Sequence, residues 1–204
     1  MTADLSVHQA QSDVRTIYRG GQFGPLVSAI IWLAAALAGD LGSPSVGVAV
    51  LFFGGIGIFP LSSLMLKLSG GPSALPKGHP MVGLATQVAV TVPLGLLVAV
   101  LLWTQRAEWF FPAALVIVGA HYLPFVHLYG MRIFAVGAIA MMIAGAMLVL
   151  TEQTWFSLGG YIGAVLLLVL AILCRISATK RTDAPRTTTQ PEESPAPGSP
   201  EAPA

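Results

Sequence analysis

Residues 133–150 read IFAVGAIAMMIAGAMLVL, an apolar stretch that contains no charged residue and no proline. About 20 predominantly apolar residues are needed to cross the ~30 Å hydrocarbon core of a bilayer as a helix. The stretch therefore predicts a transmembrane helix, and the chain contains five further apolar stretches of this kind. The predicted spans cover about 23–38, 46–66, 81–103, 109–129, 133–150 and 155–176. Together they predict an all-α fold, a six-helix transmembrane bundle.

The distribution of basic residues supports these six spans and gives them a direction. Nine of the ten Lys and Arg residues fall on one side of the membrane, and only Arg106 falls on the other. The acidic residues nearest to the spans, Asp40, Glu108 and Glu152, fall on the same side as Arg106. Because Lys and Arg concentrate in cytoplasmic loops, we expect both termini to lie in the cytoplasm.

The composition is that of a membrane protein and excludes several other classes. Hydrophobic residues make up 55% of the chain, charged residues make up 9%, and the mean hydropathy is +0.78. A net charge of +1 does not indicate a nucleic-acid-binding protein, which would need a concentrated basic face. Cys174 is the single cysteine, so an internal disulfide and a multi-cysteine metal site are excluded.

Polar segments flank the predicted bundle on both sides. Residues 1–22 form a leader in which Ser6 and Gln9 have capping-box spacing and apolar residues recur at helical intervals. We expect an amphipathic helix that lies on the cytoplasmic surface. Residues 177–204 form the predicted cytoplasmic tail, in which 183–204 are rich in Pro, Thr, Glu and Ala, a composition that favours disorder. The transmembrane bundle then occupies residues 23–176.

The densest cluster of polar and aromatic side chains within a span lies in the fourth one. His121 lies about 20 Å along this helix from Glu108, which places it in the inner half of the bilayer. Pro124 has no amide proton to donate to the carbonyl of Ala120, so we expect a kink and an exposed acceptor beside the imidazole. The candidate binding residues are His121, Tyr122, Gln87, His127 and Tyr129.

Two interpretations of this cluster remain open. In one, His121 and Tyr122 contribute to a site for a small ligand or a cation. In the other, they join neighbouring helices by hydrogen bonds, and the kink only fixes the packing. A buried imidazole needs a hydrogen-bond partner in either case, and Gln87 of the third span is the first candidate. We expect His127, five residues before Arg132, to reach the cytoplasmic headgroups.

Metal binding and catalysis have little support in the sequence. His121 and His127 are six positions apart, so their side chains point about 120° away from each other on a helix and do not form a metal pair. The spans contain no Asp or Glu deep enough for a proton relay and no Ser/His/Asp set. We therefore expect no metal, no cofactor and no enzymatic activity.

Several short motifs are similar to those of a known family. They are Ala10-Gln11-Ser12-Asp13-Val14-Arg15, Gly54-Gly55-Ile56, Phe59-Pro60-Leu61-Ser62, Gly78-His79-Pro80, Glu108-Trp109-Phe110-Phe111-Pro112, His121-Tyr122-Leu123 and Leu128-Tyr129-Gly130. These motifs resemble a bacterial family of small multi-span membrane proteins catalogued as a domain of unknown function. The likeness covers about residues 8–150, is looser over the last span and does not include the tail. It implies an integral membrane bundle and carries over no reaction or ligand.

Two hypotheses of function follow for a protein of the bacterial cytoplasmic membrane. The first is a small-solute transporter or ligand-binding membrane protein, with its site near His121, Tyr122 and Gln87. The second is a structural or regulatory membrane protein without a transported substrate. A polar cavity that reaches His121 would favour the first hypothesis, and a fully packed apolar bundle would favour the second. Expected partners are membrane lipid, a small-molecule ligand and, secondarily, another copy of the chain through the GxxxG spacing of Gly159 and Gly163.

Overall fold

All regular elements are helices in the structure, a computed structural model that describes residues 5–72 and 74–182. The helices are α1 Val7–Ile17, α2 Phe23–Leu41, α3 Pro44–Leu68, α4 Val82–Gln105, α5 Phe110–Tyr129, α6 Ile133–Leu150 and α7 Leu158–Thr182. The 6 helices from α2 to α7 are long and apolar enough to cross a membrane. The predicted all-α, six-span bundle is confirmed, and the chain is a multi-pass membrane protein.

The predicted limits of the spans agree with the helices to within a few residues, except at the end of α7. This helix continues to Thr182, into the segment predicted as tail. The sequence Ser177-Ala178-Thr179-Lys180-Arg181 contains no proline or glycine that would end a helix. Its basic residues also suit a helix C-terminus. The rest of the predicted tail, residues 183–204, lies outside the described residues.

The six long helices form a ring with one loose seam. Contacts are extensive between α2 and α3, between α4 and α5, and between α5 and α6. α7 closes the ring because it packs against both α6 and α2. α3 and α4 contact each other over far fewer residues, and the long connection 69–81 joins them. The seam between α3 and α4 is therefore the least tightly packed junction between consecutive long helices.

Glycines let α7 approach its neighbours closely. A methyl group added at Gly163 would lie 2.1 Å from the Cε3 atom of Trp32, and one added at Gly159 would lie 2.8 Å from the Cβ atom of Phe111. Neither position has room for a larger residue. The GxxxG spacing in α7 thus serves packing within the bundle, and its secondary role in a homo-oligomer stays a prediction.

α1 is the amphipathic helix that the leader sequence predicts. Its capping box is formed: Ser6 Oγ accepts from the backbone N–H of Gln9, and Gln9 Oε1 accepts from the backbone N–H of Ser6. Ala10 and Val14 on its apolar face are buried. The apolar face of α1 therefore packs against the bundle, at the end that we call the α1 end.

Two polar side chains of α1 bind the C-terminus of α5. Gln11 Nε2 donates a hydrogen bond to the carbonyl of His127 at 2.6 Å, and Arg15 Nη1 donates to the carbonyl of Tyr129 at 2.6 Å. The last carbonyls of a helix have no partner within it, and the negative end of its dipole favours a cation. Gln11 and Arg15 thus satisfy the end of α5 and fix α1 in place.

The described parts of the connection between α3 and α4, 69–72 and 74–81, also lie at the α1 end. His79 is buried in this connection, where its Nδ1 accepts from the backbone N–H of Met81 at 3.2 Å. Its Nε2 lies 3.6 Å from Oδ2 of Asp13 on α1. Arg19, just after α1, donates to the carbonyl of Ser69. α1 and the connection are therefore held together over this end of the bundle.

A different polar cluster ties helices together at the opposite end. Asp40, near the end of α2, accepts a hydrogen bond from Trp155 Nε1 at 3.0 Å and another from the hydroxyl of Tyr161 at 2.8 Å. The bond from Tyr161 joins α2 to the beginning of α7, and the bond from Trp155 joins α2 to the connection before α7.

Candidate functional site

The candidate site is a cavity inside the bundle, bounded by α2, α3, α4 and α5 and by the residues that lead into α2. Its volume is about 230 Å³. A cavity of ~150 Å³ can hold benzene, so this one has room for a small organic molecule or part of a longer one. Most of its lining is apolar. The hydroxyl and imidazole side chains of the lining belong to Tyr18, Ser28, Ser62, Ser63, His121, Tyr122 and Tyr129.

The cavity extends from the α1 end to about the middle of the bundle. On α5 its lining runs from Tyr129 to Val118, which is ~16 Å at 1.5 Å per residue. On α2 it runs from Phe23 to Trp32, which is ~14 Å. The hydrocarbon core of a membrane is ~30 Å thick. The cavity is therefore about as long as one leaflet of the hydrocarbon core is thick.

His121 belongs to the wall of this cavity and is held in a defined orientation. Its Nδ1 lies 3.1 Å from Oγ1 of Thr91 on α4. The hydroxyl of Thr91 donates its only proton to the carbonyl of Val88 at 2.8 Å, so Thr91 must accept from Nδ1–H. In the neutral imidazole, this assignment of the proton leaves Nε2 of His121 as a hydrogen-bond acceptor. Nε2 has no hydrogen-bond partner among residues 5–72 and 74–182.

Further hydroxyl groups lie along the same cavity. The phenol of Tyr122 interacts with the side chain of Ser28 across α5 and α2. The hydroxyl of Ser62 on α3 donates a long hydrogen bond of 3.5 Å to the carbonyl of Phe23. Nearer to the α1 end, burial raises the pKa of the Tyr18 phenol, which also interacts with the backbone of Leu75. The site therefore contains several groups that can accept or donate a hydrogen bond in an apolar enclosure.

An aromatic wall supports these polar groups. The ring of His121 lies edge-on to the ring of Phe125, with centroids 5.1 Å apart, and Phe125 stacks on Tyr129 at 5.7 Å. Tyr122 and Tyr129 in turn pack on Phe134 of α6, with centroids 6.2 and 5.0 Å away. Such pairs stabilise the orientation of the rings beyond simple burial. The α5 side of the cavity is thus a preorganised surface.

Prolines free backbone carbonyls close to the cavity. Pro60 in α3 and Pro93 in α4 lack the amide proton that would normally bond to the carbonyls of Ile56 and Ala89. Both Ile56 and Ala89 line the cavity. Pro124 likewise leaves the carbonyl of Ala120 without its usual amide donor, as the sequence predicts. α5 continues through this proline to Tyr129. A free carbonyl in an apolar medium favours a donor, either a side chain, water or a ligand.

The cavity wall is poor in acidic and basic side chains. Its lining contains no Asp, Glu, Lys or Arg side chain and a single imidazole. No group of three or more His, Cys, Asp or Glu side chains that could hold a metal ion occurs within 5–72 and 74–182. The groups present fit an uncharged molecule better than an ion, because an ion would need a compensating charge in this medium.

The structure brings together three of the five predicted site residues. His121, Tyr122 and Tyr129 all line the cavity. Gln87 is exposed on α4 and is not part of the lining, and the partner of His121 is Thr91, one helical turn further on. The side chain of His127 is also exposed, and only its backbone carbonyl has a partner, Gln11. The role of the five residues in binding stays a prediction.

Sequence reasoning missed several residues of the cavity. Ser28 and Trp32 on α2 are buried and line it, as does Leu51 on α3. A small hydroxyl residue in the middle of an apolar span, such as Ser28, was the one available signal. The cavity itself arises from how α3 and α4 are spaced, which no local pattern in the sequence records.

Comparison with known proteins assigns the chain to a family. Residues 7–177 match the model of a family of unknown function, DUF7010. The match covers most of the chain, including α1 and nearly all of the bundle, and the chain belongs to this family. No curated protein and no solved structure matches it. The family resemblance expected from the sequence is confirmed and extends through the last span.

Proposed function

We propose that this member of DUF7010 is a ligand-binding membrane protein that holds an uncharged amphiphile in the cavity between α2, α3, α4 and α5. The observation that carries the proposal is His121. Its Nδ1 is committed to Thr91, and its Nε2 remains an acceptor in a largely apolar enclosure. An unpaired acceptor in such a medium is stabilised most by a ligand with a hydroxyl or N–H group, which donates a hydrogen bond to it. We propose a binding role and not a catalytic one.

The rival function, a structural or regulatory protein without a ligand, would be favoured by a fully packed bundle. The cavity of about 230 Å³ argues for the ligand-binding hypothesis. Buried voids larger than a water molecule are few in a folded domain and lose packing energy. A ligand would offset that loss. Transport of the ligand across the membrane would require a second opening at the other end of the bundle, and the cavity lining ends near Trp32 and Leu51.

A pair of probes tests the role of His121. The first probe is 1-decanol, whose hydroxyl can donate to Nε2, and the second is its methyl ether, which cannot. We expect 1-decanol to bind the purified protein roughly fivefold more tightly, the equivalent of one hydrogen bond of about 1 kcal/mol. Binding is measured as the ligand-dependent shift in thermal unfolding at several concentrations of each probe.

His121→Phe keeps the size of the ring and removes both nitrogens, so the preference for the alcohol should disappear. His127→Phe is the matched control, because His127 is on the same helix and its side chain lies outside the cavity lining. This control should keep the preference. The proposal is contradicted if the wild type binds both probes equally, or if His121→Phe still prefers the alcohol.

We also propose that both termini face the cytoplasm of a bacterial cell. The support is the charge distribution in the sequence: when the six spans are threaded across a membrane, nine of the ten Lys and Arg residues fall on one side and only Arg106 falls on the other. Reporter fusions after Ala204 and within the α2–α3 connection at Gly42 should report opposite compartments. Fusions that report the same compartment would contradict this orientation.

A further inference from the structure

Hydrogen-bonded elements lie at the α1 end of the cavity. Tyr18 and Tyr129 line this end, and Tyr18 also interacts with the backbone of Leu75 in the connection between α3 and α4. Gln11 and Arg15 of α1 bind the carbonyls at the end of α5. A ligand that entered from the water at this end would have to pass beside these bonded elements.

On the side between α3 and α4, residues that line the cavity are also exposed at the outer surface of the bundle. Ile56 and Phe59 on α3 line the cavity and are still 52% and 64% exposed on the outer surface of the bundle. Ala89 on α4 also lines the cavity and is exposed. The cavity is not fully enclosed, and these residues mark where it comes nearest to the outer surface, along the loosely packed seam between α3 and α4. We call the gap bounded by Ile56, Phe59 and Ala89 the lateral mouth.

The lateral mouth lies on the part of the surface that faces lipid. α3 and α4 are both membrane-spanning, and the residues around the mouth are apolar. The two helices meet more closely deeper in the bundle, where a methyl group added at Gly55 would lie 3.2 Å from Cδ1 of Leu96. The seam is thus closed near the middle of the membrane and looser towards the α1 end. A molecule that enters the cavity through the lateral mouth must therefore come from the leaflet at the α1 end.

From these observations we infer that the occupant of the cavity is an uncharged single-chain amphiphile of the membrane, such as a long-chain alcohol, which enters sideways through the lateral mouth from the leaflet at the α1 end. The length of the cavity supports this choice of ligand. Its lining covers ~16 Å of α5, about half of the ~30 Å hydrocarbon core. A chain that lies in one leaflet has the same extent. The inference rests on the proposed ligand-binding function and specifies its ligand class and route.

The inner end of the cavity provides the residues that report on such a chain. Trp32, Leu51 and Leu96 line this end, and each is no more than 2% exposed. None of them can touch bulk lipid. Leu97, beside Leu96 on α4, is 48% exposed and faces outwards, so it serves as an internal control for ordinary contact with lipid.

The experiment uses the full chain in vesicles of phosphatidylcholine that also contain a long-chain alcohol with a diazirine on its hydrocarbon chain. Illumination followed by peptide mass spectrometry identifies the labelled residues. We expect label on Trp32, Leu51 or Leu96 in addition to Leu97. Label confined to outward-facing residues such as Leu97 would overturn the inference.

A plug in the lateral mouth tests the route. Ala89→Phe places a ring at the mouth and should reduce labelling of the buried residues at least fivefold without changing the label on Leu97. Ala34→Phe is the matched control, because Ala34 is exposed on α2 and is not part of the lining. It should leave both signals unchanged. Unchanged labelling of the buried residues in Ala89→Phe would overturn the lateral route, and Ala89→Leu provides a smaller plug should the larger one impair folding.

Failure of this inference can be told apart from failure of the proposed function. The preference for 1-decanol over its ether is measured on purified protein and does not depend on a path through the bilayer. If that preference is found and the buried residues stay unlabelled, the ligand site stands and the single-chain amphiphile that enters from the membrane is wrong. If the buried residues are labelled and the preference is absent, the occupant stands and the role of His121 is wrong.

Discussion

The hydrogen bond between His121 and Thr91 allows a quantitative prediction. It joins α5 to α4, and its 3.1 Å length is within the normal range. Thr91→Val removes the hydroxyl, keeps the shape of the side chain and leaves Nδ1–H of His121 without its acceptor. His121→Phe removes the other partner. The two single variants and the double variant form a double-mutant cycle that isolates the interaction from the other effects of each substitution.

The expected coupling is modest. Hydrogen bonds between membrane helices contribute on average ~0.6 kcal/mol and at most ~1.7 kcal/mol. Thr91 is exposed at the surface of the bundle, so its bond lies partly outside the packed interior and should fall near the average. We therefore predict a coupling free energy of ~0.6 kcal/mol, which is roughly a threefold change in the unfolding equilibrium.

The measurement is unfolding in mixed micelles of increasing dodecyl sulfate content, followed by far-UV circular dichroism. Thr91→Ser is the matched control, since it keeps the hydroxyl and should keep most of the coupling. A coupling that cannot be told from zero, or a serine variant that behaves like the valine variant, would refute the bond and the tautomer assigned from it. The assignment of Nε2 as a free acceptor, on which the proposed ligand site depends, would then have no structural support.

Three further predictions concern the framework around the site. Arg15→Met should lower the free energy of unfolding by roughly 1.5 kcal/mol, because the carbonyl of Tyr129 loses a charged donor, and a melt with no loss would show that α1 is not fixed there. Gly163→Ala should cost ~1–3 kcal/mol in unfolding experiments through its clash with Trp32, and a variant as stable as the wild type would contradict the close packing of α7 on α2. Asp40→Asn should lower the melting temperature by weakening both of its hydrogen bonds, and an unchanged melting temperature would show that this cluster does not hold α2 to α7.

The positions of the helices were predictable from the sequence. The run of residues 133–150 is bounded by Arg132 on one side and by Thr151 and Glu152 on the other, and α6 has the same limits as the apolar run. The limits agree because backbone N–H and C=O groups in lipid have no water to bond to. Each apolar run must therefore form a helix, in which these groups bond to one another. The end of α7 was less predictable because the residues after 176 are polar and yet compatible with a helix.

The contacts between helices were only partly predictable. His121 was expected to have a partner on the third span, and it does, but the partner is Thr91 and not Gln87. These two residues are four positions apart and lie on the same side of α4. Helical periodicity therefore predicts which side of α4 contacts His121, but it does not predict which turn of that side provides the partner. The docking of α1 was not predictable either. Gln11 and Arg15 bind backbone carbonyls. Because every residue has a backbone carbonyl, no side-chain pattern in the sequence indicates which carbonyls accept these bonds.

The central claim is that one ligand occupies the cavity, and native mass spectrometry of the purified protein tests it most directly. Gly24 lines the cavity and Gly83 does not, and an added methyl group would meet nothing within 4 Å at either position. Gly24→Leu should therefore fill part of the cavity without a clash, and Gly83→Leu is its matched control. We predict that the wild type and Gly83→Leu retain one bound molecule of a defined mass and that Gly24→Leu loses it. The same spectrum for all three proteins, with or without a bound mass, would contradict the claim.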